Sequence, residues 1–450
     1  MENLSELTAL SPGRCRELKG WALLAVASLA IAGVLALLLA LSRTPGIQDG
    51  LPWGPSFFHR ALVTHVVLSF QVWLLAALGA LSALVAGGGP VGRVALAAGW
   101  AGTLLLVIPA LADQGEASLN NYVPILIHPL FYCGLALLAL GVAVAGARTL
   151  PLLGRGGPVA CGIACGNGIF LIACLCFALA ARLIPAGTDM VMANERVFWG
   201  GGHVLQFLNT VILMVAWESL GRQAFGRGPL PPALSRGLFL ALLLVAATAP
   251  TLYLRGRILE IDQQQAFTNL LWFGLPLPPA VMGAGLAWRL WRGPRDWRSA
   301  ATLSLALSLA VFAIGGVAGF FIGAGDTRTP SHYHAVIGGV NLGLMGLFIV
   351  RLLPVLGRPP VSARAIKLQF HLYGWGQFIH ALGFFVAGAA GVPRKTAGAA
   401  QGLDSLAKTA AMDVVGFGAA IAVAGGVIFV WTVLARLLGP FYLARPRRLG

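Results

Sequence analysis

Twelve apolar runs, each about the length needed to cross a bilayer, leave this chain few folds to choose from. They lie at 20–42, 58–86, 93–112, 124–146, 159–182, 195–220, 236–254, 264–288, 299–323, 331–353, 365–391 and 413–438. A spanning helix takes about 20 residues. Inside hydrocarbon every backbone N–H and C=O must find its partner within a helix or a closed barrel. Barrel strands are about 10 residues long and alternate in polarity, and these runs do neither. Composition agrees: 58% of the 450 residues are hydrophobic and 10% are charged, against about 25% charged in soluble domains. The expected fold is all-α and polytopic, one domain of about twelve transmembrane helices over 20–438. A short N-terminal segment, 1–19, precedes it and a basic tail, 439–450, follows. Glu2, Glu6 and Glu17 and the length of the first run argue against a cleaved signal, so that run is read as span one. No internal repeat is evident.

The formal net charge is +16. In a soluble chain that would suggest nucleic acid, but here it maps onto topology and no nucleic-acid partner is expected. With twelve spans both termini share a face. That face carries 21 of the 31 Lys and Arg and 5 of the 15 Asp and Glu, and the opposite face carries 10 of each. The whole excess therefore sits on one side. The positive-inside rule makes that side cytoplasmic, with Arg445, Arg447 and Arg448 in the inner tail. The setting is a prokaryotic inner membrane, and membrane lipid is the immediate partner.

Six cysteines show no disulfide framework and no zinc spacing. Cys161 and Cys165 are one helical turn apart and are read as small packing residues. The eight histidines are more informative. Imidazole within lipid is costly, so it faces protein or a cofactor. By this topology six of the eight (His59, His65, His128, His203, His332 and His334) fall in the outer part of the membrane. His59 is read as interfacial, and the role of His128 stays open. His371 and His380 are nine residues apart on span eleven, on opposite faces, and are read as packing residues with hydrogen bonds. His332 and His334 are two apart, about 200° around a helix. They cannot chelate one metal, but they could serve two cofactors on either side of one helix. Two hydrogen-bonded packing histidines remain the alternative from spacing alone.

Four short motifs, in order, resemble subunit I of the heme–copper oxidase superfamily, and the likeness covers nearly the whole chain. Ala61-Leu62-Val63-Thr64-His65 resembles the second-span motif that supplies a low-spin heme ligand. Phe198-Trp199-Gly200-Gly201-Gly202-His203 is similar to the sixth-span motif whose histidine binds copper. Asp326-Thr327 with His332-Tyr333-His334 resembles the tenth-span signature, one residue shorter than usual. Gly391-Val392-Pro393-Arg394-Lys395 is similar to the outer loop whose two basic side chains hold heme propionates. The resemblance implies two hemes: a low-spin heme held by His65 and His334, and a high-spin heme held by His332. Arg394 would offer bidentate bonds and Lys395 a point charge.

The sequence departs from the family at the copper site. No histidine lies between His203 and His332. Aligning Glu260-Ile261-Asp262 and Ala266-Phe267-Thr268 with the family's entry into span eight puts Leu252 and Tyr253 where a His-His pair is expected. Phe207 stands in place of the redox tyrosine, and Leu205 and Gln206 in place of a proton-carrying acid. Glu195, Glu218 and Asp262 match no proton-channel position; Glu195 and Arg196 are expected to pair. His203 and Tyr253, with a water or Gln side chain, form the remaining candidate for a second metal, short of ligands.

The resemblance implies a respiratory oxidoreductase that reduces oxygen, or nitric oxide, at the high-spin heme. His332, His203 and Tyr253 are the candidate catalytic residues. No Cys-x-x-Cys-His motif occurs, so electrons would come from a cytochrome c or cupredoxin-like donor on the outer side, with small partner subunits. The loss of copper ligands keeps a second reading open: a heme-bearing electron-transfer, gas-sensing or assembly subunit that catalyses nothing. A transporter sharing only the helical bundle is the third, and it would carry no heme.

Overall fold

The computed structural model describes residues 10–439 apart from 255, 294, 295 and 324. Glu2, Glu6 and the tail arginines Arg445, Arg447 and Arg448 lie outside the described residues. Among the described residues, eleven helices are long and apolar enough to cross a membrane: α1 (Pro12–Leu41), α2 (Pro55–Ala86), α3 (Gly89–Leu111), α4 (Pro129–Ala147), α5 (Pro158–Leu183), α6 (Met190–Phe225), α7 (Pro232–Leu254), α8 (Ile261–Arg292), α9 (Ala300–Gly319), α10 (Arg328–Val355) and α12 (Leu406–Leu438). Between the last two lies α11 (Ala363–Ala389), 27 residues long. It is less apolar because it carries Lys367, Gln369, His371, Gln377 and His380.

Helix starts follow from local chemistry. Proline opens α1, α2, α4, α5 and α7, where the missing N–H has no intrahelical partner to lose. The Asp189 carboxylate accepts from the N–H of Val191 and Met192 at the head of α6 (3.0 and 3.1 Å). The first helix begins at Pro12, within the 1–19 segment expected to precede the first span. The fourth begins at Pro129 rather than 124. Residues Ile125–Ile127 instead pair antiparallel with Glu116–Ser118 in a small hairpin, and His128 caps the helix by accepting from Leu130 N at 3.2 Å.

Large apolar side chains such as Val94, Leu104, Leu244, Val317 and Phe417 lie exposed around the periphery. An aqueous surface would not tolerate that much apolar area, whereas lipid does. The most buried of the eleven spans are α2, α6 and α10. These central helices carry His65, His203 and the His332/His334 pair. A buried chain of hydrogen bonds ties the centre together: Trp73 Nε1 donates to Asn341 Oδ1 at 2.9 Å, and Asn341 Nδ2 donates to Tyr373 Oη at 2.8 Å. Both α2 and α10 widen into a π-helical turn, at Val67–Val72 and Phe348–Leu352. The first begins two residues after His65, and such turns are frequent at functional sites.

Candidate functional site

The site is a single cavity of about 1680 Å³, well above the roughly 300–1,000 Å³ of ordinary small-molecule pockets. His65, His332, His334 and His380 all line it. On α2, His65 Nδ1 lies 2.9 Å from the carbonyl oxygen of Ala32 on α1. A carbonyl only accepts, so Nδ1 carries the proton and the Nε2 lone pair is left bare. On α10, His332 Nδ1 donates to Gly315 O of α9 at 2.7 Å, with the same consequence. A Cβ at Gly319 would sit 2.9 Å from that ring nitrogen, so a glycine is what lets the ring seat there. His334 points the other way, as the two-residue spacing requires. It stacks on Phe384 of α11 (centroids 5.5 Å, 24° between planes) and meets His380 edge to face at 4.7 Å. His380, expected as a packing residue, thus belongs to the cavity.

At one end of the cavity, two motifs that are far apart in the sequence form one unit. Asp326 and Pro393 make a β-bridge, Thr327 N donates to Val392 O (3.0 Å), and Arg394 N donates to Gly325 O (3.0 Å). The Thr327 hydroxyl donates to Phe384 O at 2.8 Å. The Arg328 guanidinium hydrogen-bonds the Asp326 carboxylate and holds its pKa below the usual range. Asp326 and Thr327 therefore act by pinning the 391–395 loop to the head of α10. Arg394 and Lys395 both line the cavity, but they are not equivalent. Lys395 adopts φ 60°, and its ammonium donates to Leu119 O and, at 3.2 Å, to Asn121 Oδ1. Burial, with Arg394 nearby, lowers its pKa to about 8. No side-chain hydrogen bond holds the Arg394 guanidinium among the described residues.

His203 is not on the cavity wall. Its Nδ1 donates to Trp199 O (2.8 Å), so Nε2 accepts from the Tyr122 hydroxyl (3.0 Å). Both nitrogens are used, and the ring is packed by Tyr122, Trp199 and Phe267. Tyr253 lies beyond Phe267, ring to ring at 5.1 Å, with its hydroxyl buried and unpartnered. No cluster of three or more His, Cys, Asp or Glu suited to a metal occurs among the described residues. The donor set around His203 and Tyr253 does not fit a second metal.

The buried acids are structural. Glu17 binds Arg148 and the Gly88 N–H (2.6 Å). Glu218 binds Arg222 (2.8 Å) and the Ser235 hydroxyl (3.0 Å). Glu195 and Arg196, expected to pair, form no ion pair among the described residues, and Arg196 Nη1 is buried without a partner.

Two further residues of the site carry no sequence motif. Tyr122 sits in the hairpin loop, which folds into the bundle under a hydrogen bond from Gln71 Nε2 to Tyr122 O (2.8 Å). Burial pushes its hydroxyl pKa up. Arg43 follows α1 at the same end of the cavity as Arg394. Its guanidinium lies over the Phe384 ring, 5.1 Å from the centroid, and its Nε and Nη2 are buried without a partner. Burial lowers its pKa to about 10. An arginine at the outer end of a span, where few basic residues fall, is the one signal that could have found it.

Comparison with known proteins supplies the family. Residues 18–428 match the family described as Cytochrome C and Quinol oxidase polypeptide I. The chain belongs to this family. An uncharacterized protein of Aquifex aeolicus (strain VF5) is 32% identical over 351 residues, 73% of this chain and 82% of that one. Uncharacterized protein RP382 of Rickettsia prowazekii (strain Madrid E) is 24% identical over 491 aligned positions, 91% of this chain and 94% of its own length. A solved heme–copper terminal oxidase dimer shares the fold, with a TM-score of 0.71 at 15% identity, covering 96% of this chain and 85% of that one. The chain is a heme–copper oxidase subunit I-like, multi-pass membrane protein.

Proposed function

We propose that the chain is a two-heme membrane oxidoreductase subunit that reduces a small diatomic gas, oxygen first and nitric oxide second. His65 and His334 would hold the six-coordinate heme, and His332 would be the single protein ligand of the other. The observation that carries this reading is the shared cavity, in which His65 and His332 each donate Nδ1–H to a neighbouring helix carbonyl. Such a bond fixes the tautomer and aims a basic Nε2 at a metal. Arg394 would take a propionate, and the orphaned Nε and Nη2 of Arg43 fit a bound group with acceptor substituents at the same end. When bound, the hemes supply electron transfer at the six-coordinate iron and gas binding at the open one. The chain's own residues orient the imidazoles, close the outer end through the Gln71–Tyr122 and Lys395–Leu119 bonds, and exclude water with apolar walls.

Electrons would enter from a cytochrome c or cupredoxin-like donor on the outer face of a prokaryotic plasma membrane, with both termini cytoplasmic and small partner subunits alongside. No step is drawn through a metal at His203, because Tyr122 already uses its Nε2. That same bond favours the second reading, a heme-bearing electron-transfer, gas-sensing or assembly subunit without gas reduction.

The test is the absorption spectrum of the purified, dithionite-reduced protein before and after carbon monoxide. A heme spectrum that carbon monoxide shifts in part is expected, from one open and one six-coordinate iron. A heme spectrum indifferent to carbon monoxide supports the non-catalytic reading. No heme at all sinks both and leaves a transporter. Replacing His65 by Ala should remove the low-spin component.

A further inference from the structure

The six-coordinate site has one imidazole more than it needs. His334 and His380 come from different helices, yet their rings meet edge to face at 4.7 Å and both line the cavity. His65 lies within electrostatic reach of both. The two differ in how they are held. His380 Nδ1 donates to Val415 O of α12 at 2.8 Å, the same arrangement that sets His65 on Ala32 and His332 on Gly315. Its Nε2 lone pair is therefore bare and its ring is fixed. Among the described residues His334 makes no such bond; its ring is packed by Phe384, the His380 edge and the Tyr333 ring. The backbone under His380 is built for close approach, because a Cβ at Gly418 of α12 would collide with the His380 backbone. A buried packing histidine would also hydrogen-bond one nitrogen, but it has no need to turn its ring to a cavity with the other nitrogen left free.

We infer that His380 is a further histidine of the low-spin heme site, one that would be able to hold that heme together with His65 in place of His334. The inference rests on the two-heme reading above. The two ring centroids are 4.7 Å apart and both rings border the cavity, so one imidazole could serve where the other does. Such a substitution would leave oxidation state and proton count unchanged.

The experiment uses the full-length purified protein and its wild-type heme complement. Low-temperature electron paramagnetic resonance and near-infrared magnetic circular dichroism report bis-imidazole ligation, and pyridine hemochrome gives heme per chain. His334→Ala and the closer-sized His334→Gln are made separately, so that a folding defect in one leaves the other. Both are expected to keep a bis-imidazole low-spin signal, shifted in g values, at wild-type heme content. Adding His380→Ala to either is expected to abolish that signal, giving high-spin iron or loss of that heme. If folded His334 variants lose the low-spin signal while His380 is intact, the inference is overturned. The underlying reading fails separately: His65→Ala would then leave the low-spin signal unchanged, whatever His380 does.

Discussion

At the scale of single residues, what a side chain can do here depends on what already occupies its polar atoms. His65, His332 and His380 each spend one nitrogen on a backbone carbonyl and keep the other, whereas His203 spends both. Arg394 and Lys395 are neighbours in sequence, but the ammonium holds the Leu119 loop and the guanidinium is left for a ligand. A prediction follows from the lysine. Its pKa in the folded chain is about 8, against 10.5 for an ordinary lysine. Between those values the unfolded chain keeps a proton that the folded chain has released, so stability rises with pH across that window. Below about 8 both states are protonated, and the cost of burying the charge is constant. Competitive acetylation read by mass spectrometry should give Lys395 a midpoint near 8 in protein stripped of bound groups. A carboxylate bound beside Arg394 should move it upward; a midpoint at 10 or above in stripped protein would show that the ammonium is not buried as described. The histidines are legible in the sequence because imidazole is conspicuous inside an apolar run. Tyr122 is not, because a tyrosine in a loop carries no periodicity, and neither is the Lys395 tether, which depends on a loop 274 residues away from it in the chain.

Among helices, the spans and their order are legible because lipid enforces length and polarity. Their mutual approach is not. The nine-residue spacing puts His371 and His380 on opposite faces of α11 but does not say what faces them. The contact of α11 with α12 decides that, and Gly418 is one of its tight points, since any Cβ there meets the backbone of His380. Backbone cannot rotate aside as a side chain tip can. Gly418→Ala should therefore force the helices apart and cost about 1–3 kcal/mol, the usual penalty of overpacking. That outweighs the roughly 1 kcal/mol gained in helix propensity. Gly237 on α7 has open space where a methyl group would sit, with no atom within 4 Å, so Gly237→Ala should leave stability unchanged or raise it. Thermal unfolding of the two variants in detergent checks this, and an equal midpoint for both would mean that α11 and α12 are not packed this closely. Because the same contact seats His380, Gly418→Ala should also disturb the low-spin spectrum while Gly237→Ala does not.

For the whole molecule, the charge asymmetry and the cavity make one joint statement about direction. By the twelve-span count, the whole excess of positive charge lies on the face shared by the termini, while the cavity closes at the other face under Arg43, Arg394 and Lys395. If the positive-inside rule holds, the polar end of the cavity faces outward, the side from which the proposed donor would deliver electrons. The orientation is open to direct measurement. Ala186 lies exposed between α5 and α6 on the cavity's polar side, and Arg227 lies exposed between α6 and α7 on the opposite side. In a background with the native cysteines replaced, Ala186→Cys should react with a membrane-impermeant maleimide on intact cells. Arg227→Cys should react only after permeabilisation. The cation count alone would not have located the donor side, because it says nothing about where the histidines sit along each span. The cavity alone would not either, because its polar end has no inherent outside. Only the two together do, so a reversed labelling pattern would move the donor to the cytoplasm and overturn the outer-side electron entry, while leaving the histidine assignments within the cavity untouched.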